Sequence, residues 1–135
     1  MANENATVFY DTPIPAGRYI EGRAIKPDIV LWNKKDKTAK IIEVTVPNDY
    51  GLCRAEREKI AKYQDLQYDL RRTWSLKEIN IIPVVVGATG LVKTNFKKYL
   101  ESIPGSPSAQ EVQTAAIKGT VSILKRALGY NAQNA

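Results

Sequence analysis

Two β-rich runs, KPDIVLWN (26–33) and AKIIEVTVP (39–47), are joined by the short charged stretch NKKDKT, and this spacing constrains the chain more than any other feature. A polar, turn-forming connection of that length makes an antiparallel hairpin the simplest solution. Pro47 ends the second strand, because it cannot donate to a ladder, and Asp49 is placed to cap the next helix. That helix spans about 52–74. EINIIPVVVG (78–87) is nearly continuous in apolar residues, the pattern of a strand covered on both faces at the centre of an α/β sheet, with some irregularity at Pro83.

The flanks are read in the same way. Residues 1–7 form a polar, loosely held end, 8–10 a short strand, and Pro13, Pro15 and Gly17 a loop. Gly87 and Gly90 make a turn before a basic helix over 91–102, and PGSPS (104–108) is a linker-like break. Ser108 and Glu111 have capping-box spacing and open a last helix that runs to about 128 and stops at Gly129. Val112, Ala116, Ile123 and Ala127, with Leu124 and Leu128 beside them, form its core-facing stripe. No internal repeat is present. The expected fold is one α/β domain over 1–135: a mixed central sheet with a β-hairpin, flanked by helices.

Composition narrows the chemistry. The chain has 135 residues, 44% of them hydrophobic and 25% charged, as in an ordinary globular protein. No apolar run approaches the ~18–20 residues needed to cross a bilayer, and the first residues lack the pattern of a secretory signal, so no membrane association is expected. There is no histidine and a single cysteine, Cys53. An internal disulfide, a Cys/His zinc site, a Ser-His-Asp triad and a Cys-His dyad are all excluded. Catalysis would rest on carboxylates, lysines, hydroxyls and a hard cation. A net charge of +6 and a pI near 9.4 suit an anionic partner such as nucleic acid.

Alternate residues of a strand share a face, so Ile41, Glu43 and Thr45 point one way and Ile42, Val44 and Val46 the other. Glu43 thus sits inside an isoleucine-rich strand, where an unpaired carboxylate is costly. Asp28 opens the neighbouring strand after Pro27, and the antiparallel return brings the two acids near each other. Two readings follow. The pair is a turn residue and a lysine-paired glutamate, or it is a hard-cation site for Mg²⁺ or Mn²⁺.

At ~100° per residue, Ile60, Tyr63, Leu66, Leu70 and Trp74 form one stripe of the long helix, with Leu52 on the same side. Glu56 and Lys59 fall inside that stripe and Lys62 on its margin, whereas Arg71 and Arg72 lie opposite. Inward charges at the N-terminal end alone mark a polar pocket where helix meets hairpin. Glu56 and Lys59 could equally form a structural ion pair, and Lys59 could snorkel.

Together KPDIVLWNK, IIEVTVPND, EREKIAKYQDL, IIPVVVGATG and GTVSILKRAL, with PD at Pro27–Asp28 and E-x-T at Glu43–Thr45, resemble the PD-(D/E)xK nuclease superfamily. More closely, they resemble the C-terminal restriction-like endonuclease domain of R2-type non-LTR retrotransposon polyproteins, over nearly the whole chain from about Val8. The resemblance implies a restriction-endonuclease-like core and a Mg²⁺- or Mn²⁺-dependent endonuclease that cuts a DNA target strand. It carries Asp28 and Glu43 over as metal ligands. The superfamily's usual lysine position is Thr45 here, and in the retroelement branch the lysine comes from the following helix, which fits Lys59 and Lys62. For a third ligand, Glu56, the Val44 carbonyl and, more weakly, Glu21 are candidates. The resemblance also implies DNA and the other domains of a polyprotein as partners, and a nuclear location.

Competing readings are a catalytically inactive nucleic-acid-binding domain and a structural domain with a buried ion network. In the first, Lys93, Lys97, Lys98, Lys118, Lys125 and Arg126 bind phosphates. No helix-turn-helix or zinc finger marks target specificity. One site cuts one strand, so double-strand cleavage would take a homodimer or two successive events.

Overall fold

The structure is a computed structural model that describes residues 6–10, 27–105 and 107–119. Its strands are β1 (Ala6–Tyr10), β2 (Ile29–Asn33), β3 (Thr38–Thr45) and β4 (Glu78–Val85), and its helices α1 (Leu52–Thr73), α2 (Phe96–Glu101) and α3 (Ala109–Ile117). The four described strands form one mixed sheet in the order β1-β2-β3-β4. β1 and β3 run antiparallel to β2, and β4 runs parallel to β3. The fold is therefore α/β, with a hairpin inside a mixed sheet and helices beside it, as the patterning predicts.

The hairpin turns through Lys34–Lys37, with Asn33 facing Thr38. The Asn33 side chain accepts from the Asp36 N–H at 3.0 Å and donates to the Asp36 carboxylate at 3.0 Å. Such side-chain closure is what makes Asn and Asp turn residues. The short connection also fixes the register, and hence which face each side chain takes.

Each face of the sheet has its own core. Ile29, Leu31, Ile42, Val44, Ile82 and Val84 pack with Phe96, Leu100, Ile103, Val112 and Ala116, on the side of α2 and α3. Val30, Ala39, Ile41 and Ile79 pack with Tyr63, Leu66 and Leu70 of α1. The expected parity of β3 holds: Ile41 and Ile42 lie in different cores. No side chain caps the start of α1. A good cap contributes ~1 kcal/mol, whereas each of Tyr63, Leu66 and Leu70, almost fully buried, contributes ~1.5–3 kcal/mol. Tertiary packing, not capping, holds this helix.

Three expectations change. The apolar run of β4 is an edge among the described strands, and β3 is interior. β4 reads as central because helices cover both its faces, while its edge place tolerates Pro83. Asp49 does not cap α1. It begins a 3₁₀ turn, Asp49–Gly51, and its carboxylate accepts from the N–H of Thr89 at 3.3 Å and from the Thr89 hydroxyl. The helix expected over 91–102 starts only at Phe96, since the Leu91 carbonyl that would open its ladder takes the Gly87 N–H at 2.7 Å. The last helix, capped by Ser108 as expected, has its described end at Ile117, and the stretch expected to carry it to 128 lies outside the described residues. Gly119, at φ 71°, takes the left-handed conformation that closes a helix. Residues 1–5, 11–26, 106 and 120–135, and with them Glu21, Ile123, Leu124, Lys125, Arg126, Ala127, Leu128 and Gly129, lie outside the described residues.

Candidate functional site

The β2–β3 ladder pairs Ile29 with Ile42, so one step further Asp28 faces Glu43. Here side chains replace ladder bonds. The Asp28 N–H donates to Glu43 Oε2 at 3.0 Å, and the Val44 N–H donates to Asp28 Oδ2 at 2.8 Å. Each carboxylate is thus oriented by the other strand's backbone, and the hairpin register sets their juxtaposition. Glu43 is 6% exposed, while Asp28 is half-buried.

α1 brings the compensating charge. Lys59 Nζ donates to Glu43 Oε1 at 3.2 Å from a partly exposed position. One turn on, Tyr63 is 0% exposed and its hydroxyl makes no regular hydrogen bond among the described residues. Burial, and then the neighbouring Glu43 carboxylate, push that phenol well above its ordinary pKa, so it stays protonated. Lys62 is exposed, with its ammonium 5.1 Å from the centre of the Tyr63 ring. The helix therefore offers two lysines on different footings, one bonded to the buried acid and one over a ring.

Glu56, also inward, belongs to a second polar group. It pairs with Lys93 at 3.0 Å and accepts from Asn95 Nδ2 at 3.1 Å and the Tyr99 hydroxyl at 3.4 Å. Glu56 raises the pKa of Lys93 through that bond; burial first, and then Glu56, raise that of Tyr99. Sequence reasoning found Glu56 and Lys93 but not their pairing. It missed Asn95 and Tyr99, which lie 39 and 43 residues from Glu56 with no local signal to link them. Among the described residues no three Asp, Glu, Cys or His side chains converge on one point, so Glu56 does not join Asp28 and Glu43 in a ligand set. Lys97 and Lys98 are exposed on α2, and Lys118 follows α3, also exposed.

The loops after the parallel strands β3 and β4 are tied together. The Val86 N–H donates to the Thr45 carbonyl at 3.1 Å and the Ala88 N–H to the Pro47 carbonyl at 3.0 Å. A Cβ on Gly87 would lie 2.2 Å from Asp49 Oδ1, so the clamp of Asp49 on Thr89 requires glycine there.

The donor set suits a hard cation. Two carboxylates are oriented from one hairpin, with Lys59 bonded to Glu43, and so present hard oxygen donors side by side. Mg²⁺ is commonly held by one or two carboxylates and completes its shell with water and substrate phosphate. Zn²⁺ would want histidine or thiolate; the chain has no histidine, and Cys53 is exposed in the first turn of α1.

No family model matches the chain, and no curated protein matches it. A solved structure similar to it is that of the Toscana virus cap-snatching endonuclease, at 14% sequence identity and a TM-score of 0.43. The similarity covers 87% of this chain and 62% of the viral one.

Proposed function

We propose that this chain is a metal-dependent DNA endonuclease domain of the restriction-endonuclease-like kind, with Asp28 and Glu43 as the residues that would hold Mg²⁺ or Mn²⁺. The observation that carries the reading is the reciprocal bonding of the two carboxylates across the hairpin, with Lys59 on Glu43. When bound, the ion supplies a polarised phosphodiester and a water of lowered pKa. The residues of the chain prepare the rest. The backbone N–H groups of Asp28 and Val44 hold the two acids in one orientation before substrate arrives, which lowers the reorganisation needed. Lys59 reaches this point from α1 and stabilises charge that grows on the phosphoryl oxygens. It supplies the cation that Thr45, two residues after the second acid, lacks.

The resemblance of KPDIVLWNK, IIEVTVPND and EREKIAKYQDL to the R2-type endonuclease domain supports target-strand cleavage for a non-LTR retrotransposon. In that reading the chain acts in the nucleus beside other domains of a polyprotein. A second reading, a DNA-binding domain without catalysis, is favoured by the lack of a third converging ligand side chain among the described residues.

Nicking of supercoiled plasmid in Mg²⁺ or Mn²⁺ separates the two. Cleavage is expected from the parent protein and not from Asp28→Ala or Glu43→Ala, and Lys59→Ala should cut about 10²–10³-fold more slowly. Lys62→Ala should retain rates within about tenfold of the parent, in keeping with a worth of ~0.5–1 kcal/mol for an exposed cation–π contact. Undiminished cutting by Asp28→Ala would remove the site assignment, and salt-sensitive DNA binding without turnover in any metal would establish the second reading.

A further inference from the structure

A cleft of about 370 Å³ opens beside the start of α1, between the Pro47–Gly51 turn and the helix face carrying Arg54, Ala55 and Glu58. Tyr50 stands in its wall and is fully exposed. The ring is not on a loose loop. Asp49 is clamped to Thr89, the Gly51 N–H donates to the Asn48 carbonyl at 3.0 Å, and the Pro47 carbonyl takes the Ala88 N–H. Neighbours on both sides thus fix the backbone that presents an apolar ring to water. A solvated aromatic ring carried on a held backbone is a stacking surface for a flat partner.

The polar groups around the ring limit what that partner is. Arg54 Nε and Glu58 Oε1 pair at 2.8 Å, so their charges offset within the cleft. A phosphate gains little there, while a flat heteroaromatic edge meets both a donor and an acceptor, with the Asn48 amide beside them. The cations lie one helical turn on. Ala55 and Lys59 are four residues apart, as are Glu58 and Lys62, so the face that lines the cleft continues into both lysines.

We infer that this cleft takes an unpaired nucleobase of a DNA strand, stacked on Tyr50, while the strand's backbone runs over Lys59 and Lys62. This rests on the nuclease reading for its choice of polymer, and it deepens it: the substrate is a strand with at least one base out of its duplex. Base–aromatic stacking is tolerant of sequence, because every base offers a π face.

The test measures binding in EDTA, where cleavage plays no part, using a fluorescent DNA single strand, the same strand as a duplex, and a single strand with abasic positions. Tyr50→Ala should weaken single-strand binding about tenfold or more. Tyr50→Phe should match the parent, because the ring and not the hydroxyl makes the contact. Duplex affinity should not change, and the abasic strand should bind the parent and Tyr50→Ala alike. Tyr50 is fully exposed and its replacement leaves both cores intact. Equal single-strand affinity for the parent and Tyr50→Ala would overturn the inference, as would an equal loss on duplex or a loss in Tyr50→Phe. Failure of the nuclease reading shows separately, as plasmid cleavage that is missing or indifferent to Asp28→Ala.

Discussion

Glu43 shows how much a single residue can demand of its surroundings. A buried carboxylate needs partners, and it finds the Asp28 N–H and the Lys59 ammonium. Tyr63, beside it, is different: its hydroxyl is buried without a regular hydrogen bond among the described residues. An unsatisfied buried hydroxyl costs ~1–3 kcal/mol. Tyr63→Phe should therefore stabilise the metal-free protein by about 1 kcal/mol in urea denaturation. A loss of similar size would mean instead that the hydroxyl bonds the Glu43 carboxylate. At this scale the acids are readable, because strand parity and a hairpin turn suffice to bring Asp28 near Glu43, and the ladder register then sets them face to face. The choice between Lys59 and Lys62 is not. They are ~60° apart around the helix, and only the roll of α1 on the sheet decides which reaches Glu43.

Among the elements, α1 carries the clearest local signal, and its end is closed by a specific motif. Its 22 residues show the stripe that buries Tyr63, Leu66 and Leu70, and its bounds fall within a residue of those read from the sequence. Past its end the Ser75 N–H donates to the Arg72 carbonyl at 3.3 Å and the Leu76 N–H to the Arg71 carbonyl at 2.9 Å. This is the Schellman arrangement, with Leu76 buried beyond it. Ser75 sits at φ 53°, where glycine is the usual residue. Ser75→Gly should raise stability by about 1 kcal/mol, seen as a higher urea midpoint at unchanged slope. A lower midpoint would show that the serine side chain offsets its own strain. The shorter helices were less legible. α2 loses its first turn because the Gly87 N–H, four residues back, takes the Leu91 carbonyl, and α3 ends at Ile117 before a left-handed Gly119, a conformation that identity alone does not disclose.

Over the whole molecule, a basic chain carries a site built on two carboxylates. The chain is +6 overall, while the hairpin corner sets two acids side by side, with Lys59 on Glu43 among the described residues. A cation bound there adds to stability by mass action, ~2.7 kcal/mol when its concentration is a hundred times its Kd. Titration with Mn²⁺ should raise the thermal midpoint by roughly 10 °C under that condition. In Asp28→Asn the rise should vanish; if it persists, the ion binds elsewhere. The sequence by itself determined the α/β class, the hairpin, the long helix and the nearness of Asp28 and Glu43. All of these follow from periodicities and turn chemistry that act over a few residues. The tertiary structure alone decided that Lys59 bonds Glu43, that Glu56 is held by Lys93, Asn95 and Tyr99, and that Asp49 clamps Thr89 and leaves Tyr50 in water. Each of those depends on how elements far apart in the chain meet on the sheet, and no local pattern encodes that.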